Sequence, residues 1–207
     1  MKRILCFGDS NTFGYKPDGN GRFDENIRWT AKVQNRLGAD YHIIEEGLCG
    51  RTTIFADELQ IGRRGLDIVG PIVESHNPID LFVVMLGTND CKTRNKASAG
   101  IIARGLEQVI EQAKRSASKE MKVLVISPIH LGKGVGEEEF DPEFDEGSER
   151  ISRRLASEYE KIAKANGYYF LDASKYAEAS AIDREHLDEI GHEKMAEAVY
   201  QKLTEIF

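Results

Sequence analysis

Five short apolar runs, separated by segments of helical length, constrain the fold of this chain more than any other feature. Residues 3–7 (RILCF), 41–45 (YHIIE), 80–86 (DLFVVML), 122–127 (KVLVIS) and 168–171 (YYFL) are rich in β-branched or aromatic residues and read as strands. Several lack polar alternation, as expected of strands covered by helices on both faces. Helical spacing falls near 28–37, 66–76, 99–118, 148–166 and 191–206. In the last segment Ile190, Met195, Ala198, Val199, Leu203 and Ile206 keep a helical spacing. Such alternation predicts an α/β fold with a parallel, doubly wound sheet and right-handed crossovers. No repeat or linker interrupts it, and 207 residues suit one compact domain over 1–207.

Composition narrows the partners. The 28 Lys and Arg against 35 Asp and Glu give a formal charge of −7, which argues against nucleic acid and against an anionic membrane surface. Eight of the acids lie within 134–149, a stretch with no Lys or Arg, so the rest of the chain is nearly neutral. The apolar run Ile4–Phe7 is shorter than the ~7–15 residues of a signal-peptide core. No stretch reaches the ~18–20 apolar residues of a membrane span, so a cytoplasmic location is expected. Three widely spaced cysteines with no CxxC predict neither a disulfide framework nor a structural zinc site.

Two segments have no clear period: 47–65, with several glycines, and 128–147, rich in Gly and acids. Each follows a predicted strand at the end where open α/β sheets place their sites.

Single residues in these turns are ambiguous. Ser10, in FGDSN after the first strand, suits a nucleophile at a strand-to-helix turn, where backbone N–H groups and the helix dipole favour developing negative charge. Asp9, Ser10 and Asn11 equally suit ordinary turn and cap roles. Asn89 in MLGTND can donate its amide to an oxyanion, or simply make a turn. Gly50 in GLCGRTT can offer a bare N–H, or serve only the local backbone. Asp183 and His186 in IDREH suit a carboxylate-oriented general base, or a solvated pair before a helix. His192 is read as a cap-region or surface residue. Cys49 and Cys91 flank Gly50 and Asn89 and read as packing residues, or as positions where alkylation would displace oxyanion donors.

Together these residues are more informative. Ser, Gly, Asn and Asp/His follow different strands or close the chain, and a doubly wound sheet gathers such strand ends at one crevice. That supplies a nucleophile, oxyanion donors and an oriented base.

The blocks FGDSN, GLCGRTT, LGTND and DREH, in this order over nearly the whole chain, resemble the SGNH, or GDSL-type, hydrolases. RILCFGDS, RWT, IEEGL and MLGTND are similar to the bacterial arylesterase and acyltransferase branch of that family. The resemblance implies a three-layer α/β/α sandwich with a five-stranded parallel, flavodoxin-like sheet. It implies Ser10, Asp183 and His186 as the triad and Ser10, Gly50 and Asn89 as the oxyanion hole. It further implies a serine esterase acting on short acyl esters, able to transfer acyl groups to alcohols, and members that form oligomers. A carbohydrate O-deacetylase and a thioesterase or lysophospholipase are alternatives within the family. No metal or organic cofactor is needed, and the partner is a small-molecule ester. Asn11 departs from the GDSL pattern, which has Leu there, a change expected to alter the acyl pocket. The acidic stretch is expected to wall the entrance and to disfavour anionic esters.

Other chemistries fit less of the chain. A flavodoxin-like flavin carrier would use the Ser/Thr/Asn-rich first turn but leave Asn89, Asp183 and His186 without roles. An Asp-nucleophile phosphoryl-transfer enzyme needs a second carboxylate where Asn11 stands, and no GK[ST] follows the first strand as a P-loop requires.

Overall fold

The computed structural model describes all residues from Met1 to Phe207. Strands β1 (Lys2–Gly8), β2 (Tyr41–Gly47), β3 (Leu81–Met85), β4 (Lys122–Ser127) and β5 (Tyr169–Asp172) form one parallel sheet in the order β2-β1-β3-β4-β5. Helices α1 (Ser10–Phe13), α2 (Trp29–Leu37), α3 (Gly65–His76), α4 (Ala99–Ser116), α5 (Glu146–Asn166) and α6 (Glu189–Ile206) complete the layers. The predicted strands and longer helices are all present, with ends displaced by one to a few residues.

The period-two geometry of the strands divides the core. Leu5, Phe7, Phe82 and Val84 face one layer, with Val69 of α3, Ile102 of α4 and Leu155 of α5. Ile4, Cys6, Leu81 and Val83 face the other, with Val33 of α2 and Val199 of α6. Because both faces are covered, the central strand β3 is apolar throughout. Side chains cap the long helices: Ser98 accepts the Ile101 N–H, Asp188 accepts the Gly191 N–H, and Asp145 with Ser148 forms a capping box on α5. No helix is long and apolar enough to cross a membrane.

Sheet register positions the site. Gly8 pairs with Gly47 on one side and with Met85 on the other. The chain therefore leaves β1, β2 and β3 at one level, two to four residues before Ser10, Gly50 and Asn89. The strand order reverses at β1, the place where such sheets open a crevice. Gly8 is required there, since a Cβ would lie 2.0 Å from Thr12 Oγ1 and 2.9 Å from the Met85 carbonyl oxygen. Helix α6 packs beside α2, so the segment before it crosses back over the end of β1.

His192 is not a surface residue. It lies inside the first turns of α6, on the face toward α2, and is 0% exposed. Its Nδ1 accepts the Trp29 N–H at 3.3 Å, and its ring meets Phe23 edge-on. Burial drives its pKa down to about 4, so it stays neutral and structural near pH 7.

Candidate active site

The Ser10 turn is built from local hydrogen bonds. Asp9 caps α1, its carboxylate accepting the Asn11 N–H at 3.1 Å. Helix α1 has only four residues, so the expected dipole is small here; the Asn11 and Thr12 N–H groups are bonded to Asp9, and the Ser10 N–H remains as the donor of this turn. Ser10 is 3% exposed, and its Oγ lies 2.8 Å from His186 Nε2. On the far side of the ring, His186 Nδ1 donates to Asp183 Oδ2 at 2.6 Å. Asp183 Oδ1 accepts the backbone N–H groups of Glu185 and His186, each at 3.0 Å, which fixes the carboxylate before it meets the ring.

This bonding sets the ring's protonation. A carboxylate on Nδ1 holds the proton there, leaving Nε2 as acceptor for the serine hydroxyl. Burial lowers the His186 pKa, but Glu185, then Asp183 and Asp9, outweigh it and hold it above the usual value. Burial tends to raise the Asp183 pKa, and the His186 hydrogen bond reverses this and keeps the carboxyl ionised.

The other two blocks meet the same turn. Asn89 is buried and donates one amide hydrogen to the Arg51 carbonyl at 3.2 Å, leaving the second without an acceptor in the protein. Gly50 sits at φ +79°, a left-handed conformation that favours glycine, and its N–H donates to no protein acceptor. Arg51 ties these pieces together. Its buried guanidinium donates to the Gly8 carbonyl at 2.8 Å and to the Glu46 carbonyl, and it lies over the Phe7 ring. Asp90 anchors the loop after β2, accepting the Thr53 N–H at 3.0 Å and the Thr53 hydroxyl. Arg51 stands inside the quoted RTT run, but nothing in its type or spacing marks it as a clamp.

Asn11 grips the loop that carries the histidine. Its Oδ1 accepts the Leu187 N–H at 2.8 Å and its Nδ2 donates to the Glu185 carbonyl at 3.4 Å, one bond on each side of His186. Its own carbonyl accepts the Trp29 indole N–H at 3.0 Å. The bidentate Arg28–Glu45 pair, at 3.0 and 2.8 Å, fixes the segment before α2.

The two cysteines prove unlike each other. Cys91 is buried with its thiol donating to the Gly87 carbonyl, and burial raises its pKa well above normal. It offers no surface for alkylation. Cys49 is half-buried, and burial, then Asp9, push its pKa up to about 11, so it is a thiol rather than a thiolate at neutral pH.

The acidic stretch is less free than its composition suggests. Glu143 pairs with Arg94 at 2.6 Å and with Lys92, Glu137 pairs with Arg184 at 3.0 Å, and Glu149 accepts the Gly134 N–H at 2.6 Å. Arg184 also donates to the Gly134 carbonyl and lies over the Phe140 ring. The stretch thus packs on the segments that follow Asn89 and precede His186, and two of its eight acids, Glu143 and Glu137, are paired with basic side chains there. Nowhere do three His, Cys, Asp or Glu side chains converge as metal ligands would.

A hydroxyl donor, an acceptor nitrogen and an ionised carboxylate in series can activate a serine for attack on a carbonyl. Free N–H groups beside it can take up the charge that develops on the carbonyl oxygen.

Comparison with known proteins adds a second line. Residues 6–194 match the model of the GDSL-like lipase/acylhydrolase family. An acetylxylan esterase of Xylanibacter ruminicola is 24% identical, the match covering 95% of this chain and 42% of that protein. The chain thus spans about two fifths of the length of the curated relative it matches. The native aryl esterase of M. smegmatis is similar in structure, with a TM-score of 0.94 and 33% identity over 100% of both chains. A carbohydrate acetylesterase from Sinorhizobium meliloti has a TM-score of 0.91 and 30% identity, again over 100% of both chains.

Proposed function

This chain belongs to the GDSL-like lipase/acylhydrolase family, and from that premise we propose that it is a serine esterase of short acyl esters, with residues 1–207 acting as one catalytic domain. The observation that carries the proposal is the series Ser10 Oγ to His186 Nε2 at 2.8 Å and His186 Nδ1 to Asp183 at 2.6 Å, set at the end of β1. Ser10 Oγ attacks the acyl carbonyl carbon as His186 takes its proton. The carbonyl π electrons move to oxygen, where the N–H groups of Ser10 and Gly50 and the Asn89 amide bind the oxyanion. Collapse expels the alcohol, which leaves with the proton from His186 and yields an acyl-enzyme. Water, deprotonated by His186, attacks that ester and regenerates Ser10. An alcohol entering in place of water gives acyl transfer by the same route.

Similarity to a carbohydrate acetylesterase and to an acetylxylan esterase supports acetyl-sized acyl groups as the reading for this chain. A panel of p-nitrophenyl esters from acetate to palmitate, with acetylated sugars alongside, tests it. The highest kcat/KM is expected at acetate, falling with chain length; a maximum at long chains would replace this reading with a lipase-like one. A flavin carrier would leave the serine–histidine–aspartate series without purpose.

Asn89→Ala is expected to lower kcat by about a hundredfold or more, the usual cost of one oxyanion donor at ~2.7–4 kcal/mol. KM should change far less, because the donor meets a charged oxygen only as the tetrahedral species forms. Unchanged kcat would remove Asn89 from the oxyanion hole.

A further inference from the structure

Glu185 acts on the chemistry above only through its charge beside His186, yet its carboxyl stands inside the site. It is 8% exposed, and its Oε1 lies 3.9 Å from His186 Nε2, the ring nitrogen that also faces Ser10. Its backbone is fully engaged: the N–H donates to Asp183 at 3.0 Å and the carbonyl accepts from Asn11 at 3.4 Å. The carboxylate accepts no hydrogen bond from any group of the protein, in contrast to Asp183 and Asp9 beside it. The nearby cation, Lys92, is already bonded to Glu143. Burial raises the Glu185 pKa, and His186 beside it only partly offsets that. The carboxyl oxygens of Glu185 are not among the polar atoms sealed from solvent, so they open on the site, where a substrate can supply the donor that the protein does not.

Which donor follows from the reaction geometry. The leaving oxygen must come within hydrogen-bond reach of His186 Nε2, about 2.6–3.2 Å, to receive its proton. An acceptor 3.9 Å from the same nitrogen then neighbours the atoms just beyond that oxygen on the alcohol. A hydroxyl on the adjacent carbon can meet it; an aryl ring or alkyl chain would cover the carboxyl and leave it unpaired. Resting on the serine-esterase reading, we propose that Glu185 is a specificity residue that accepts a hydrogen bond from a hydroxyl vicinal to the scissile ester, so that the site selects monoesters of vicinal diols and polyols.

The test is a matched pair, 2-hydroxyethyl acetate and n-propyl acetate, which differ by a hydroxyl in place of a methyl. The folded enzyme should prefer the hydroxy ester by at least about tenfold in kcat/KM, since a site built to bond a hydroxyl rejects the analogue that lacks it. Glu185→Leu should abolish that preference. Glu185→Gln, of the same shape and still able to accept a hydroxyl, should keep most of it. Equal kcat/KM for the pair in the unmodified enzyme, or an unchanged ratio in Glu185→Leu, overturns the role of Glu185. Turnover of p-nitrophenyl acetate separates the two readings: if it persists while the pair is not discriminated, only the specificity role fails. If the folded enzyme turns over none of the three esters, the esterase reading fails and this role with it.

Discussion

Replacing Ser10 with alanine is expected to reduce turnover of p-nitrophenyl acetate by about 10⁴–10⁶-fold, with the protein still folded. The hydroxyl is the only atom of this side chain that reacts, and its bond to His186 Nε2 is the link between nucleophile and base. Its removal leaves the cap at Asp9 and the Asn11 clamp untouched, because neither uses the serine side chain. His186→Ala should lose a similar factor, and the double variant little more, since the two act as a unit and their losses do not add. Residual turnover should reflect the oxyanion donors alone. Activity within tenfold of the unmodified enzyme in Ser10→Ala, measured on protein with an unchanged circular dichroism spectrum, would remove Ser10 as nucleophile.

Asp183→Asn is expected to lower kcat by about 10³–10⁴-fold, more than a missing negative charge alone suggests. Asparagine can keep accepting the N–H groups of Glu185 and His186 through its carbonyl oxygen. It then presents an NH₂ group to His186 Nδ1 where the carboxylate had been an acceptor. The ring responds by carrying its proton on Nε2, and a protonated Nε2 cannot receive the Ser10 proton. The pH profile offers a second readout. His186 must be neutral to act as base, and burial lowers its pKa while Glu185, Asp183 and Asp9 raise it to a net value above normal. In the unmodified enzyme kcat/KM should therefore rise with pH through a midpoint above the usual histidine pKa of ~6.5 and fall as pH drops through it. Loss of Asp183 removes one of the raising carboxylates, so the midpoint should move to lower pH. A variant with full kcat, or a midpoint displaced upward, would show that Asp183 neither orients nor charges the base.

Much of the fold was legible because its causes are local. Runs such as LFVVM are too short and too β-branched for helices in a chain punctuated by Gly and Asp, and the 3.6-residue stripes of α4 and α6 have few other solutions. His192 shows where local reading ends. Position alone placed it at a helix start, and only the packing of α6 against α2 turns it inward to accept the Trp29 N–H. Arg51 fails for the same reason, since its acceptors are carbonyls at the ends of two different strands. Glu185 reads in the sequence as a neighbour of the histidine; its burial and its want of a partner are properties of the assembled site.

By itself the sequence determined the elements, their parallel order of connection and the residue types capable of the chemistry, because hydrogen-bonding periodicity and turn preference act over a few residues. The tertiary structure alone decided which of those residues meet. Ser10 and His186 are separated by 176 positions and come within 2.8 Å only because the strand order turns at β1 and α6 returns beside α2. It also decided how they are charged, since the protonation of His186, Asp9 and Glu185 depends on burial and on carboxylates contributed from across the fold.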